Sequence, residues 1–257
     1  MSPTRSIAIA RTTARLVIKD PSVTIIMIVM PLIFVGFLKP SLEAQLQQQG
    51  YAGVSGAQAG VPGLAVMFAF LSIQTVCMIF FREHFWGTWQ RVRAAGATGG
   101  ELVIGKAGPL VIVILAQMAV VFAASAWLFD YRVTGSMLAL GLLLTGIALS
   151  VVSMGVLVVA LLKTLDQAMV VGNMSGMVMA GFGGALAPTS TLPAWAQSIA
   201  QVTPTYWGIE GLREVGLDGA QVADILPALG VMGVFTATCV AIAAMRFQPT
   251  DTKVGST

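Results

Sequence analysis

Uncharged apolar stretches alternate with short polar ones along almost the whole chain. Six of the apolar runs, at about residues 23–38, 61–81, 107–129, 137–162, 168–187 and 225–245, approach the roughly 20 residues a helix needs to cross the hydrocarbon of a bilayer. The first run contains eleven Leu, Ile, Val or Phe residues, worth roughly −3 to −6 kcal/mol on an insertion scale, where one central charge costs about +3. Pro31 predicts a bend inside it, and Pro62 is placed in the first turn of the second span, where a missing N–H is tolerated. The fifth run is dense in glycine and methionine. Its Gly172-x-x-x-Gly176 pair is a pattern that lets another helix approach closely.

The polar segments predict the rest of the architecture. Over residues 3–20, Arg11, Arg15 and Lys19 recur every fourth position, with Ile7, Ala10, Ala14, Val17 and Ile18 largely opposite, which describes an amphipathic helix lying in the membrane interface. Lys39-Pro40-Ser41-Leu42-Glu43-Ala44 is not a small-residue cleavage site, so the segment is expected to be retained. Residues 43–60 are expected to form an external loop, and Lys163 to Asp166 a tight inner turn. Residues 188–224 are too polar for a span yet carry Leu192, Trp195, Ile199, Tyr206, Trp207, Ile209 and Leu212. They predict short amphipathic helices that lie on, or dip into, the outer surface, anchored by Trp and Tyr.

Composition sharpens the class. Hydrophobic residues make up 56% of the chain, charged ones 10%, and the mean hydropathy is +0.86, against roughly 25% charged for soluble domains. The chain reads as an all-α integral membrane protein whose residues 1–257 form one transmembrane domain with no room for a sizeable soluble one. The net charge of +3 is what cytoplasmic loops rich in Lys and Arg give, and points away from nucleic acid. With both termini inside, eleven Lys and Arg are internal and three, Lys39, Arg132 and Arg213, are external. That asymmetry predicts cytoplasmic termini in a cytoplasmic (inner) membrane. Cys77 and Cys239 both fall in apolar runs, where packing is the expected role.

The predicted spans carry no Asp, Glu, Lys, Arg or His. Proton- and ion-coupled transporters keep such residues near the midplane, and no filter of carbonyls or acidic rings is visible. An ATP-independent secondary transporter or channel is therefore the weaker alternative, and a membrane assembly subunit a second one. Gln74, Thr75, Gln117, Ser150, Ser153, Asn173 and Ser175 are the polar groups at membrane depth, expected first as interhelical hydrogen-bond partners. Gly100-Glu-Leu-Val-Ile-Gly105-Lys106-Ala107 spells most of a P-loop, but Ala107 replaces the Mg²⁺-binding Ser or Thr and the string runs into a span. The chain is expected to hold no cofactor, no metal and no catalytic residue.

The charged, glycine-punctuated island at residues 82–106 is the likeliest meeting point with a soluble partner. Trp86, Trp89, Arg91 and Arg93 have the aromatic and Arg content of protein interfaces, although the two tryptophans equally suit anchoring at the membrane surface. Glu83, Gly87-Thr88, Arg91 and Gly105-Lys106 follow one another in the order found in the cytoplasmic coupling segment of ABC-2 type exporter permeases. Leu192-Pro193-Ala194-Trp195, then Pro204, then Arg213 match that family's pattern ahead of its last span, and the resemblance covers nearly the whole chain.

The resemblance implies a type V exporter-like layout: six transmembrane helices, an N-terminal interfacial helix, a cytoplasmic coupling helix between spans 2 and 3, and re-entrant outer helices between spans 5 and 6. It implies two separate nucleotide-binding ATPase subunits that hold the ATP and Mg²⁺, and a second permease copy, identical or homologous. Glu83, Phe85, Trp86, Gly87, Thr88, Trp89, Arg91 and Arg93 would couple to the ATPase. Leu192, Pro193, Trp195, Pro204 and Arg213 would form an outer gate. Met27, Met30, Gln74, Gly172, Asn173, Met174, Gly176 and Met177 are candidates for permease pairing and the substrate path. Adaptable Met-rich and Gly-rich surfaces suit a hydrophobic or amphiphilic cargo, such as a drug, a lipid or a lipid-linked natural product, drawn from the inner leaflet.

Overall fold

The computed structural model describes residues 3–51, 53–85, 99–186 and 188–246. They form α1 (Pro3–Lys19), α2 (Ser22–Gln48), α3 (Ala57–Leu71), α4 (Ile73–Phe85), α5 (Gly99–Phe129), α6 (Met137–Leu161), α7 (Leu165–Phe182), α8 (Ala194–Ala200), α9 (Pro204–Arg213) and α10 (Leu226–Arg246). Side-chain oxygens cap several starts: Ser136 accepts from the Ala139 N–H, Thr164 from that of Gln167 and Thr203 from that of Tyr206, each relieving one of the orphan donors of a first turn. Five helical stretches, α2, α3 with α4, α5, α6 and α10, are long and apolar enough to cross a membrane. The described residues are thus all-helical in their regular structure, and the protein is multi-pass. At eighteen residues α7 is about 27 Å long at 1.5 Å per residue, slightly short of a typical hydrocarbon core of about 30 Å, and Asp166, Gln167 and Asn173 lower its hydropathy.

α3 and α4 form the centre of the bundle, with Val61, Val66, Phe70, Ile73, Val76 and Phe81 buried. α2 and α5 pack against α3, α6 and α7 against α4, and α10 packs on α6 and α9. α1 lies along the first turns of α5, with Thr13 buried and Arg11 and Arg15 exposed. Ile7 and Ile18 remain 66% and 75% exposed, as an interfacial helix requires if its apolar side chains are to enter lipid. The starts of α1 and α5 and the ends of α4, α6 and α10 gather at one end of the bundle, here the basic end. The α2–α3, α5–α6 and α9–α10 connections gather at the other, the distal end.

Several boundaries differ from the sequence-based expectation. α2 continues through Pro40 to Gln48, so the expected loop at 43–60 shrinks to residues 49–56. The second span begins at Ala57, placing Pro62 well inside the helix rather than in its first turn, and it is interrupted at Ser72. α5 starts at Gly99, so the P-loop-like string is ordinary helix. Glu101 and Lys106 lie within that helix at 2% and 1% exposure, which corrects the expectation that the third span begins after its last charge. Residues 188–224 contain a 3₁₀ turn, α8, α9 and a short π-helical turn, and one face of α9, with Pro204, Thr205, Gly208, Ile209, Gly211 and Leu212, is buried against α3, α6 and α10.

Candidate functional site

At the basic end, α4 finishes and α5 begins on either side of the charged island. Glu83 and Phe85 fall in the last turn of α4, while Trp86, Gly87, Thr88, Trp89, Arg91 and Arg93 lie outside the described residues. The two helices are joined by Lys106. Its Nζ donates to the carbonyls of Ile79 and Phe80 at 3.5 and 3.4 Å and sits 4.9 Å from the Phe80 ring centroid. A lysine is strongly hydrated, so burial at this depth is tolerable only with such partners. α1 closes over the same junction. A Cβ on Gly105 would stand 2.9 Å from Ile9 Cβ and 3.0 Å from the Ser6 carbonyl, so glycine is required for α1 to lie this close. Movement at the ends of α4 and α5 therefore reaches α1 as well.

The Ser72 interruption is the second node. The single Ser72 O–H lies within reach of two acceptors, the Phe68 carbonyl at 3.2 Å and Gln117 Oε1 at 3.4 Å, so the hydroxyl at the break has a partner inside the bundle. Gly172 and Gly176 meet this break within the same chain: a Cβ on Gly176 would approach the Phe70 carbonyl oxygen to 2.7 Å, and one on Gly172 would approach Ile73 Cγ2 to 3.0 Å and the Gln74 N to 3.7 Å. Met27 comes from the other side and lines a small hollow with Ser72, Thr75 and Gln117. Gln74, Gly172 and Gly176 are thus brought together at the break, which Met27 reaches from the opposite side; Asn173 is half-buried on α7. Met30, Met174 and Met177 are not part of this node, the last two being 61% and 62% exposed on the outward face of α7.

At the distal end the proposed gate residues split into two groups. Pro193 caps α8 and Trp195 stands edge-on to Phe182 at 6.0 Å between ring centroids, with Leu192 half-buried next to them. Pro204 opens α9 as a buried first residue. Arg213 ends α9, 3.6 Å from Glu210 Oε1, and lines a hollow with Leu42 and Gln45 of α2 and Gly184 and Ala185 after α7.

Gln58, which the hydropathy pattern does not mark, holds the distal connections together. Its Nε2 donates to the carbonyls of Arg132 and Gly216 at 2.8 and 3.2 Å, and its Oε1 accepts from the Arg132 N–H at 3.3 Å. Thr134 Oγ1 adds a 2.9 Å bond to Gly216 O, Gly135 and Ser136 donate to Val215 and Ala220, and Tyr51 donates to Asp218 at 2.8 Å. Thr205 ties α9 to α7 through Met179 O at 2.6 Å. These bonds join positions far apart in sequence, so no local pattern announces them. The site is acidic: burial, and then Glu210, Asp218 and Asp224, push the Glu214 carboxyl above its ordinary range. The hydrogen bond to Asp218 raises the Tyr51 phenol, and burial raises that of Tyr131.

Comparison with known proteins adds the following. The profile described as "ABC-2 type transporter" matches residues 5–217. The linearmycin resistance permease protein LnrN of Bacillus subtilis is 26% identical over 186 residues, covering 72% of this chain and 48% of LnrN. The probable multidrug ABC transporter permease YbhR of Escherichia coli K12 is 26% identical over 192 residues, covering 73% of this chain and 51% of YbhR. The chain spans about half the length of these curated relatives.

Proposed function

This chain belongs to the ABC-2 type transporter family, and on that premise we propose that it is the transmembrane permease of an exporter driven by ATP hydrolysis on separate subunits. The observation that carries the reading is the basic-end junction. The island is bounded by the end of α4 and the start of α5, which Lys106 fastens to each other and α1 overlies. A push delivered on Glu83, Phe85, Trp86, Gly87, Thr88, Trp89, Arg91 and Arg93 by two nucleotide-binding subunits would act on the pair of helices that leads to the Ser72 break and the bundle centre. ATP and Mg²⁺ would be held by those subunits.

In this reading the membrane is the cytoplasmic one, α7 is the fifth of six spans and α10 the sixth, and both termini and the island face the cytoplasm, consistent with the Lys and Arg asymmetry. α2 and α7 leave apolar side chains outward, among them Met30, Ile33, Phe34 and Phe37 on α2 and Met174 and Met177 on α7. A second permease, identical or homologous, would face them and enclose the path. The cargo is hydrophobic or amphiphilic: the walls are apolar and adaptable, and the two relatives are named for linearmycin resistance and for probable multidrug transport. The distal connections clasped by Gln58, with Leu192, Pro193, Trp195, Pro204 and Arg213, would part for release.

The test is recovery of the chain from its native membrane in mild detergent. A nucleotide-hydrolysing subunit in equal number to the permease is expected to copurify, and to be lost on replacing Trp86 and Arg91 with alanine. Recovery of a transport-competent permease with no such subunit would refute the reading.

A further inference from the structure

α5 and α10 both pack against α6 and leave a trough between them. Val152 and Ser153 of α6 belong to its floor, Val103 and Ala107 to one wall, Val240 and Ala243 to the other, and the cavity measures about 370 Å³. It arises because small residues, Ala107, Ser153 and Ala243, stand where larger ones would close the contact. The size is that of a small-molecule site, but such sites place a few free polar groups to orient their ligand. Here the hydroxyls are engaged within the bundle. Ser153 Oγ donates to the Ser150 carbonyl at 3.0 Å, Ser150 Oγ to that of Gly146 at 2.9 Å, and Thr236 Oγ1 lies 3.4 Å from Ser150 Oγ. The occupant therefore meets only hydrocarbon.

All three bounding helices are long and apolar enough to cross a membrane, so in a bilayer the trough between them would be reached from the lipid. It lies toward the basic end, using the first turns of α5 and the last of α10. Arg246 ends α10 just beyond Ala243, and Lys163 follows α6; both are exposed. Grooves between spans that are flanked by cations take anionic lipid headgroups. None of the outward-facing methionines of α2 and α7 borders the trough, which separates it from the face assigned to the second permease.

We propose that this trough holds one acyl chain of an anionic phospholipid, from the leaflet that borders Arg246, with its headgroup at Arg246 and Lys163. The proposal needs only that the bundle sits in a membrane, and stands apart from the export reading. The test reconstitutes the full chain in phosphatidylcholine vesicles with a phosphatidylglycerol probe bearing a diazirine in its acyl chain, and maps crosslinks by mass spectrometry. Labelling is expected at residues 103–111, 152–156 and 240–244 over Ile112, Leu161 and Met245, which are exposed on the same three helices but do not line the trough. Ala107→Phe fills the trough and should abolish that labelling, while Ile112→Phe on the outward face of α5 leaves it intact. Replacing Lys163 and Arg246 with glutamine should erase the advantage over a phosphatidylcholine probe carrying the same diazirine. Even labelling of the trough and of Ile112, Leu161 and Met245 in the native chain, or equal labelling by the two probes, would overturn the proposal without needing any variant to fold.

Discussion

Gln58→Leu isolates what the distal clasp contributes. Leucine fits the buried site by size but cannot reach the Arg132 carbonyl, the Arg132 N–H or the Gly216 carbonyl, which Gln58 now serves at 2.8, 3.3 and 3.2 Å. Gly216 O keeps Thr134 Oγ1 at 2.9 Å, so the two Arg132 backbone groups lose most. Each buried group left without a partner costs about 1–3 kcal/mol. Because the Arg132 side chain is exposed and water can reach part of this loop, the low end of the range applies, about 1–1.5 kcal/mol per group and about 2–3 kcal/mol for the two. For a chain of this size that corresponds to a fall in Tm of roughly 4–12 °C. Thermal unfolding of the purified protein in detergent measures it. Gln45→Leu, exposed on α2, serves as the comparison and should leave Tm unchanged. If both variants melt with the native protein, the hydrogen bonds of Gln58 do not hold the distal connections and the clasp is wrong.

Other consequences can be measured in parallel. Gly176→Val must push the Phe70 backbone, whose carbonyl oxygen already lies 2.7 Å from an ideal Cβ; overpacking of this kind costs about 1–3 kcal/mol, whereas Gly181→Val, with open space around its Cβ, should be near neutral in the same melting assay. Glu214 has a raised native pKa, so the folded state binds its proton more tightly than the unfolded one. Its contribution is fully present below the ordinary carboxyl pKa and is lost as pH rises through the raised native value; a pH series of melting curves should show this loss, and Glu214→Gln should remove it. Lys106→Met takes the buried donor away from the Ile79 and Phe80 carbonyls, and each buried acceptor left without a partner costs about 1–3 kcal/mol. The melting temperature should fall and ATP-driven transport with it, whereas Lys106→Arg, which keeps a cationic donor, should retain more of both.

How far the chain could be read from its sequence depended on the range of the interactions. Long apolar runs place the spans because the hydrocarbon thickness sets their length, and the amphipathic repeat of Arg11, Arg15 and Lys19 describes α1 because every fourth residue of a helix returns to one side. α2 runs past the end of the apolar run because the polar residues from Glu43 onward carry no apolar period, and a polar helix beyond the bilayer needs none. The break at Ser72 falls beside Gln74 and Thr75, but polar residues at membrane depth read first as interhelical hydrogen-bond partners, so they do not announce a break. Lys106 was assigned to a loop because a charge ends a hydropathy window, although the carbonyls of Ile79 and Phe80 receive it inside the bundle. The Gly172–Gly176 pattern announced a close approach without naming its partner, which is the Phe70–Gln74 backbone of the same chain. Gln58 binds residues far along the sequence, and only the fold brings them to it.

The central claim is that ATP hydrolysed elsewhere drives cargo through this chain by way of the island after α4. The most direct measurement is accumulation of a fluorescent hydrophobic dye in inverted membrane vesicles containing the chain with its copurifying ATPase, with and without ATP. The same vesicles carrying Glu83→Gln or Gly87→Val, inserted at native levels, complete the comparison. The account predicts ATP-dependent accumulation with the native chain, and ATP hydrolysis without accumulation in both variants. Accumulation that persists without ATP, or full transport by both variants, would contradict it.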